Sequence, residues 1–319
     1  MSNSSLIETL YESIGVNPHS LRQDPNIAHI EIHHNKVLGV HLVPGLEVNA
    51  RETKNGIDAK LLVKKDTVIE KPVQMCFGMI PETGLQEIIL DIELEENARA
   101  GIFAHCTFPF ARQIRHEMDA VIKVGPGAQY AYFERHIHGG EGGVVVVPKS
   151  RVEVCEGARY QTDFELIRGR VGEIQMDVEV TGMTKSVTEV TARVSAIKDD
   201  RISIRETAHL VGEYARGVLT TNIALQDTAR AEIYNTLTAH AAYARGHVDC
   251  KEIVKGNAVA KAVPIVEVYH PKAHVTHEAA IGSVDSKQLD TLMSRGLNEE
   301  DATNLIIEGL LGVPLLSNG

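Results

Sequence analysis

The chain contains no tryptophan, and six phenylalanines and eight tyrosines are its only aromatic side chains apart from histidine. Its core must therefore be filled by Val, Ile, Ala and Gly, which suit closely stacked strands better than a sandwich built on large aromatics. Cysteine is scarce too. Cys76, Cys106, Cys155 and Cys250 lie far apart and form no C-x-x-C pair, which argues against a disulfide framework or a zinc ribbon and for reduced, cytosolic thiols. The start, Met1-Ser2-Asn3-Ser4-Ser5, has neither the basic residues nor the apolar run of a signal peptide. No apolar run approaches the roughly 20 residues that span a bilayer. A soluble, cytoplasmic protein is expected. With a net charge of −11 and a pI near 5.8, nucleic acid and anionic membranes are excluded as main partners.

Catalytic motifs are missing as well. No Gly-Lys dipeptide occurs, so no phosphate-binding loop is present and any ATP must be held by a partner. There is no G-x-S-x-G elbow. His277-Glu278-Ala279-Ala280-Ile281 lacks the second histidine of a zincin helix.

What remains is patterned. Leu6, Ile7, Leu10, Tyr11 and Ile14 have helical spacing and Gly15 follows as a stop, predicting a short helix within an N-terminal segment, residues 1–25. From Ile27 the apolar period becomes two, and short strand-like runs broken by Gly, Pro, Asn and Asp continue to about residue 268. So long a stretch of strand without helical crossovers excludes a doubly wound α/β fold.

An internal repeat decides the architecture. Ile122–Tyr130 matches Val152–Tyr160 at a shift of 30 residues, and Ile92–Ala100 lies another 30 upstream. Ala224–Ala231 and Ile253–Ala260 repeat the cadence 29 residues apart. Each unit is two alternating apolar residues, a turn with Gly, Asn or Asp, then Ala-x-Ala/Tyr. Such periods mean stacked units, and units made of strand and turn alone make a parallel β-helix, with the small Ala at a tight corner. This core is expected over 26–283.

Residues 284–319 change code. Asp285-Ser286-Lys287-Gln288 opens a helix with Leu289, Leu292 and Met293 on one face, ended by Gly296. Asn298 caps a second helix whose first turn is acidic and whose apolar face is expected to be Ala302, Leu305, Ile306 and Leu310. Covering the open edge of the last coil is the structural role expected of this two-helix cap.

The chemistry-bearing residues gather just before that cap. Tyr269–Gly282 carries His270, His274, His277 and Glu278, and Cys250 lies one coil earlier, opposite Ala279 if the period holds. Imidazole, carboxylate and thiolate donors suit zinc, iron or an iron–sulfur cluster, so Cys250, His274, His277 and Glu278 are candidate metal ligands; a polar seam against the cap is the plainer alternative. His105-Cys106 and His116-Glu117 sit near the middle repeats, where a buried thiol or a hydrogen-bonded histidine is the commoner role. His136 and His138, beside the loop Gly139–Gly143, support a second reading, a β-helix hydrolase, lyase or acyltransferase with a His/acid site. The absence of Trp weakens it, since carbohydrate-active β-helices present aromatics for sugar stacking.

Thr276-His277-Glu278-Ala279, Ser294–Ala302 with Ile306–Gly309, and Glu95–Ala98 with His105-Cys106 together resemble the SufB/SufD family of iron–sulfur cluster assembly proteins, over roughly residues 25–312. The resemblance implies a mainly β fold: a right-handed parallel β-helix flanked by helical regions. It also implies a non-catalytic scaffold, a SufC-like ABC ATPase docked on the C-terminal helices (here Leu292, Arg295, Asn298, Glu299 and Ile306), and a homodimer or SufB/SufD-type heterodimer along the late coils. A transient iron–sulfur cluster at that interface would use His277, Glu278 and a late-coil cysteine. Scaffold-type members carry that cysteine just before the segment that here is Val263-Pro264, and residues 256–262 contain none. Either Cys250 substitutes from a neighbouring position or the chain is nearer the SufD type.

Overall fold

The computed structural model describes residues 24–312 and, ahead of them, the helical residues Glu8, Leu10 and Glu12. Leu10 is buried, its side chain lying over Gly78. The remainder of the expected N-terminal helix lies outside the described residues.

Strands account for 61% of the chain and wind into a solenoid of about eight turns. The entry coil contains β1 (His29–His33), β2 (Lys36–His41), β3 (Leu46–Glu52) and β4 (Gly56–Val63), with β1–β2 and β3–β4 antiparallel. After β5 (Val73–Gly78) each coil contributes two strands of about ten residues. These are β6 (Thr83–Leu94), β7 (Arg99–Phe108), β8 (Gln113–Val124), β9 (Gln129–His138), β10 (Val144–Val154), β11 (Arg159–Arg168) and β12 (Gly172–Gly182). They continue as β13 (Val187–Ala196), β14 (Arg201–Leu210), β15 (Arg216–Leu225), β16 (Arg230–Ala239), β17 (Arg245–Val254), β18 (Val259–Val268) and β19 (His274–Gly282). From β5 onward the odd strands stack in parallel in one sheet, which ends at β19; the even strands stack in the other, which ends at β18. Strict alternation puts every second side chain between the sheets, where Ile88, Leu90, Ile92 and Leu94 and their counterparts on other coils form one continuous core.

The sequence period is the coil. Ile92 pairs with Ile122 and Ile122 with Val152 in the even sheet, and Ala224 pairs with Ile253 in the odd one. The last two copies of the repeat therefore sit at the opposite corner from the first three. Both corners solve the same problem alike. The chain turns through a left-handed residue (Asn97, Gly127 and Gly157 at one corner, Asp227 and Gly256 at the other), a conformation that Gly, Asn and Asp adopt at least cost. An alanine follows, directly at the first corner and one residue later at the second, and Ala98, Ala128, Ala158 and Ala229 are wholly buried at that step.

Two helices follow, α1 (Ser286–Ser294) and α2 (Glu299–Leu310). Asp285 and Asn298 cap them as expected, accepting from the Gln288 and Asp301 amides at 2.8 Å. Their station differs from the expected cover over the last coil. α2 folds back along the flank of the odd sheet, where Ile307 and Leu311 pack on Ala224 between Ile167 and Ile253. Arg193 on β13 donates to the Leu311 carbonyl at 2.9 Å. The buried stripe is thus Ala302, Thr303 and Ile307 rather than the face of Ala302, Leu305, Ile306 and Leu310. The small Ala224 leaves room for a stripe at spacing four, and Leu305 and Ile306 turn instead toward α1.

Candidate functional site

The last coil is open. All nine positions of β19 except Val275 are exposed, and every position of β18 is exposed or half-buried. The β17–β19 ladder runs without a bulge, pairing His277 with Val248, Glu278 with Asp249 and Ala279 with Cys250. Paired residues share a face, and Val248, Cys250 and Glu252 point into the core. His277 and Ala279 therefore lie on the inner face at the open end. His274, Thr276 and Glu278 lie on the outer face, where Thr276 hydrogen-bonds His247 at 2.8 Å. Glu278 stands beside the Lys251–Asp249 ion pair of 2.7 Å.

This corrects the four-ligand expectation. Cys250 stacks on Ala279 as the period requires, yet Cys250, His274, His277 and Glu278 do not converge within one chain, because an unbroken strand sends adjacent residues to opposite faces. Cys250 is also sealed off, and burial, with Glu252, Glu206 and Asp249 nearby, pushes its thiol up to about 12. His270 accepts from the Lys272 amide and shapes a turn.

The edge itself has a polarity. The His274 amide bonds the Ala244 carbonyl on the β17 side at 2.9 Å. In a parallel ladder alternate residues serve opposite neighbours, so Val275, His277, Ala279 and Ile281 hold their N–H and C=O groups toward the free side of β19. On β18 the Val259 amide bonds Ala229, which by the same alternation places Pro264 among the residues facing the free side. Its missing N–H costs no ladder bond there.

On the helices, Leu292, Leu305 and Ile306 with Lys287, Gln288 and Thr291 line an open groove of about 380 Å³ between α1 and α2. Arg295 and Glu299 are exposed, and the Asn298 side chain is engaged in capping.

Two polar clusters of the core, among the described residues, are built around buried carboxylates. In one, Glu206 accepts from Thr221 at 3.1 Å and from Asn235 at 3.0 Å. Burial, opposed by these two hydrogen bonds, raises its carboxyl to about 8. In the other, Glu134 Oε1 lies 2.6 Å from His136 Nε2 and 3.8 Å from Cys106 Sγ. His136 Nδ1 lies 3.2 Å from His138 Nε2. Burial opposes the charge on Glu134, but the bond to His136 and the neighbouring imidazoles hold it below the ordinary carboxylate value. Burial, then His136, lowers His116 to about 3. His136 and His138, on which the enzyme alternative relied, are buried between the sheets. Neither Glu134 nor Glu206 stood out in the sequence. The 30-residue shift does place Cys106 on His136, which pair in the β7–β9 ladder, so the period held the signal.

Among the described residues no helix is long and apolar enough to cross a membrane. Residues 82–310 match the family described as SUF system FeS cluster assembly, SufBD core domain. The chain is 37% identical over 313 residues to an iron–sulfur cluster assembly SufBD family protein of Methanocaldococcus jannaschii, covering 97% of this chain and 99% of that one. One from Pyrococcus horikoshii is 38% identical over 286 residues, covering 90% and 87%, and a second from that organism is 26% identical over 79% of this chain and 56% of its own length. The repeat that makes the solenoid, the exposed Thr276-His277-Glu278 strand and these matches agree: the chain belongs to the SufBD family and has a role in iron–sulfur cluster assembly.

Proposed function

We propose that this chain is a scaffold subunit of a SUF-type complex. It pairs through its last coil with a second SufB/SufD-type subunit or a second copy of itself, and a separate SufC-like ABC ATPase docks on α1 and α2. A cluster, the cargo, is carried transiently at the subunit interface. The observation that supports this best is the open β19 edge, which offers one imidazole on its inner face and one carboxylate on its outer face while the helices stand aside. On opposite faces of β19, His277 and Glu278 each offer a single donor to a cluster, and a partner's last coil would supply the others. Cys250 is the weaker third, since its sulfur is reached only if β19 lifts. The groove holding Leu292 and Ile306 is an apolar seat of the kind an amphipathic partner surface fills, with Arg295 and Glu299 at hand for charged contacts.

Anaerobic reconstitution with iron and sulfide, with and without the ATPase, tests the reading. The visible absorption of a protein-bound cluster should develop in the wild type and fall severalfold in Glu278→Ala and His277→Ala. Absence of that absorption from both the wild-type chain and its ATPase complex would sink the proposal. Leu292→Asp with Ile306→Asp should abolish ATPase capture while leaving the solenoid intact by circular dichroism.

A further inference from the structure

Cys106, Glu134 and His136 sit on adjacent strands of one sheet, β7 and β9, and their donor atoms all lie within 4.8 Å of one another. Among the described residues they form the one such trio of His, Cys, Asp or Glu. It is far from the open end, being separated from β19 by β11, β13, β15 and β17. We propose that this trio, completed by His116, is a buried binding site for a borderline divalent transition cation such as Zn²⁺ or Fe²⁺, distinct from the cluster-carrying edge.

Three observations support it independently of one another. The first is spacing. Tetrahedral coordination with bonds of about 2.0–2.3 Å sets donors about 3.3–3.6 Å apart, and the two distances found, 3.8 Å and 2.6 Å, bracket that range. An ion entering here replaces the Glu134–His136 hydrogen bond with one bond to each, and the donors move by less than about 1 Å. The second is the unmatched histidine. His116, from the facing sheet, is 1% exposed, and neither ring nitrogen has a hydrogen-bond partner. A buried imidazole with two idle nitrogens is costly. Its ring centroid lies 5.9 Å from that of His136, near the spacing of about 5 Å that two imidazoles take on one tetrahedral ion.

The third is charge. Glu134 is buried, the His136 ring stands 2.6 Å from its carboxylate, and among the described residues no lysine or arginine pairs with it. A thiolate, a carboxylate and two neutral imidazoles around a divalent cation sum to zero, which suits a site without water. The mixed sulfur, nitrogen and oxygen donor set favours zinc or ferrous iron over calcium or magnesium, which take all-oxygen shells. His138 fills the outer position: with His136 Nε2 on the ion, its Nδ1–H donates to His138 Nε2 and fixes the ring.

Because the donors are enclosed, the ion must enter as the coils close. The chain should therefore be refolded with cobalt(II) and then passed through chelator. The wild type should retain one cobalt per chain and show thiolate-to-cobalt charge transfer. Cys106→Ser should lose the charge-transfer band, whereas Cys155→Ser and Cys250→Ser keep it. His138→Phe should loosen retention roughly tenfold. Should the core variants fail to fold, X-ray absorption on the zinc-refolded wild type decides alone. One sulfur with three nitrogen or oxygen donors upholds the site; an all-nitrogen/oxygen shell, two or more sulfurs, or no retained metal overturns it. None of these readouts depends on cluster assembly.

Discussion

Glu134 and Glu206 are carboxylates buried in the same apolar tube with, among the described residues, no lysine or arginine paired to either, and they adapt in opposite ways. Glu134 stays charged against imidazoles. Glu206, whose partners Thr221 and Asn235 are neutral, keeps its proton instead, with a pKa of about 8. Between the ordinary carboxylate value and pH 8 the folded chain then binds more protons than the unfolded one, so this residue's contribution is full in acid and is lost as pH rises through about 8. Glu252, raised to about 7 by burial and then by Asp249, acts with the same sign. In Glu206→Gln the amide oxygen can accept both hydrogen bonds, and the amide group cannot ionise. Urea titrations should find the variant more stable than wild type above pH 8, by several kcal/mol, with a shallower but not flat dependence between pH 5 and 8. An unchanged slope would mean that Glu206 is ionised in the fold.

At the scale of the element, Arg193 is the clasp of the C-terminal helices. It lies on the flank of the odd sheet, pairs with Asp163 at 2.8 Å and Glu165 at 3.0 Å, and donates to the last turn of α2. Ile307 and Leu311 add only a small apolar contact on Ala224, so the polar clasp carries a large share of the attachment. Arg193→Ala should weaken docking by about 1–3 kcal/mol, raising amide exchange over residues 299–310 while exchange in β13 and β15 changes little. Equal loss of protection in helix and sheet would contradict this division. The helices also mark where the sequence stops being informative. Their caps are local chemistry, legible at Asp285 and Asn298, and the coil period is equally local, so the stacking of Ile92, Ile122 and Val152 is legible in the sequence alone. Which way α2 folds depends on Arg193 and Ala224, at least 75 residues upstream, and no pattern within the helix separates Ile306 from Ile307. The candidate site was legible to the same degree. The period puts Cys250 on Ala279 and Cys106 on His136, but which strand face His277 and Glu278 take follows from register, and Glu134 became visible only when two coils were laid together.

For the whole molecule the two ends are unlike. The entry end finishes its sheets with the antiparallel strands β2 and β3, and the exit end presents two parallel edges side by side. Exposed edges invite another chain. Here they are unequal: Pro264 interrupts the free side of β18, while nothing interrupts that of β19. If subunits join by continuing the odd sheet across β19, the joint uses the N–H groups of Val275, His277, Ala279 and Ile281, whereas Ala280 is committed to β17. Two neighbouring prolines separate these roles. Ala279→Pro removes a donor from the free side only, so β19 should keep its protection from exchange while self-association, or association with the second SufB/SufD-type subunit, weakens about tenfold by sedimentation. Ala280→Pro strikes the internal ladder, so protection across residues 274–282 should be lost even in the monomer. Because both substitutions carry the same ring and the same fixed φ, the contrast isolates the hydrogen-bonding direction. Association that survives Ala279→Pro unchanged would place the subunit joint elsewhere on the solenoid and would remove the reason for His277 and Glu278 to meet a partner's donors.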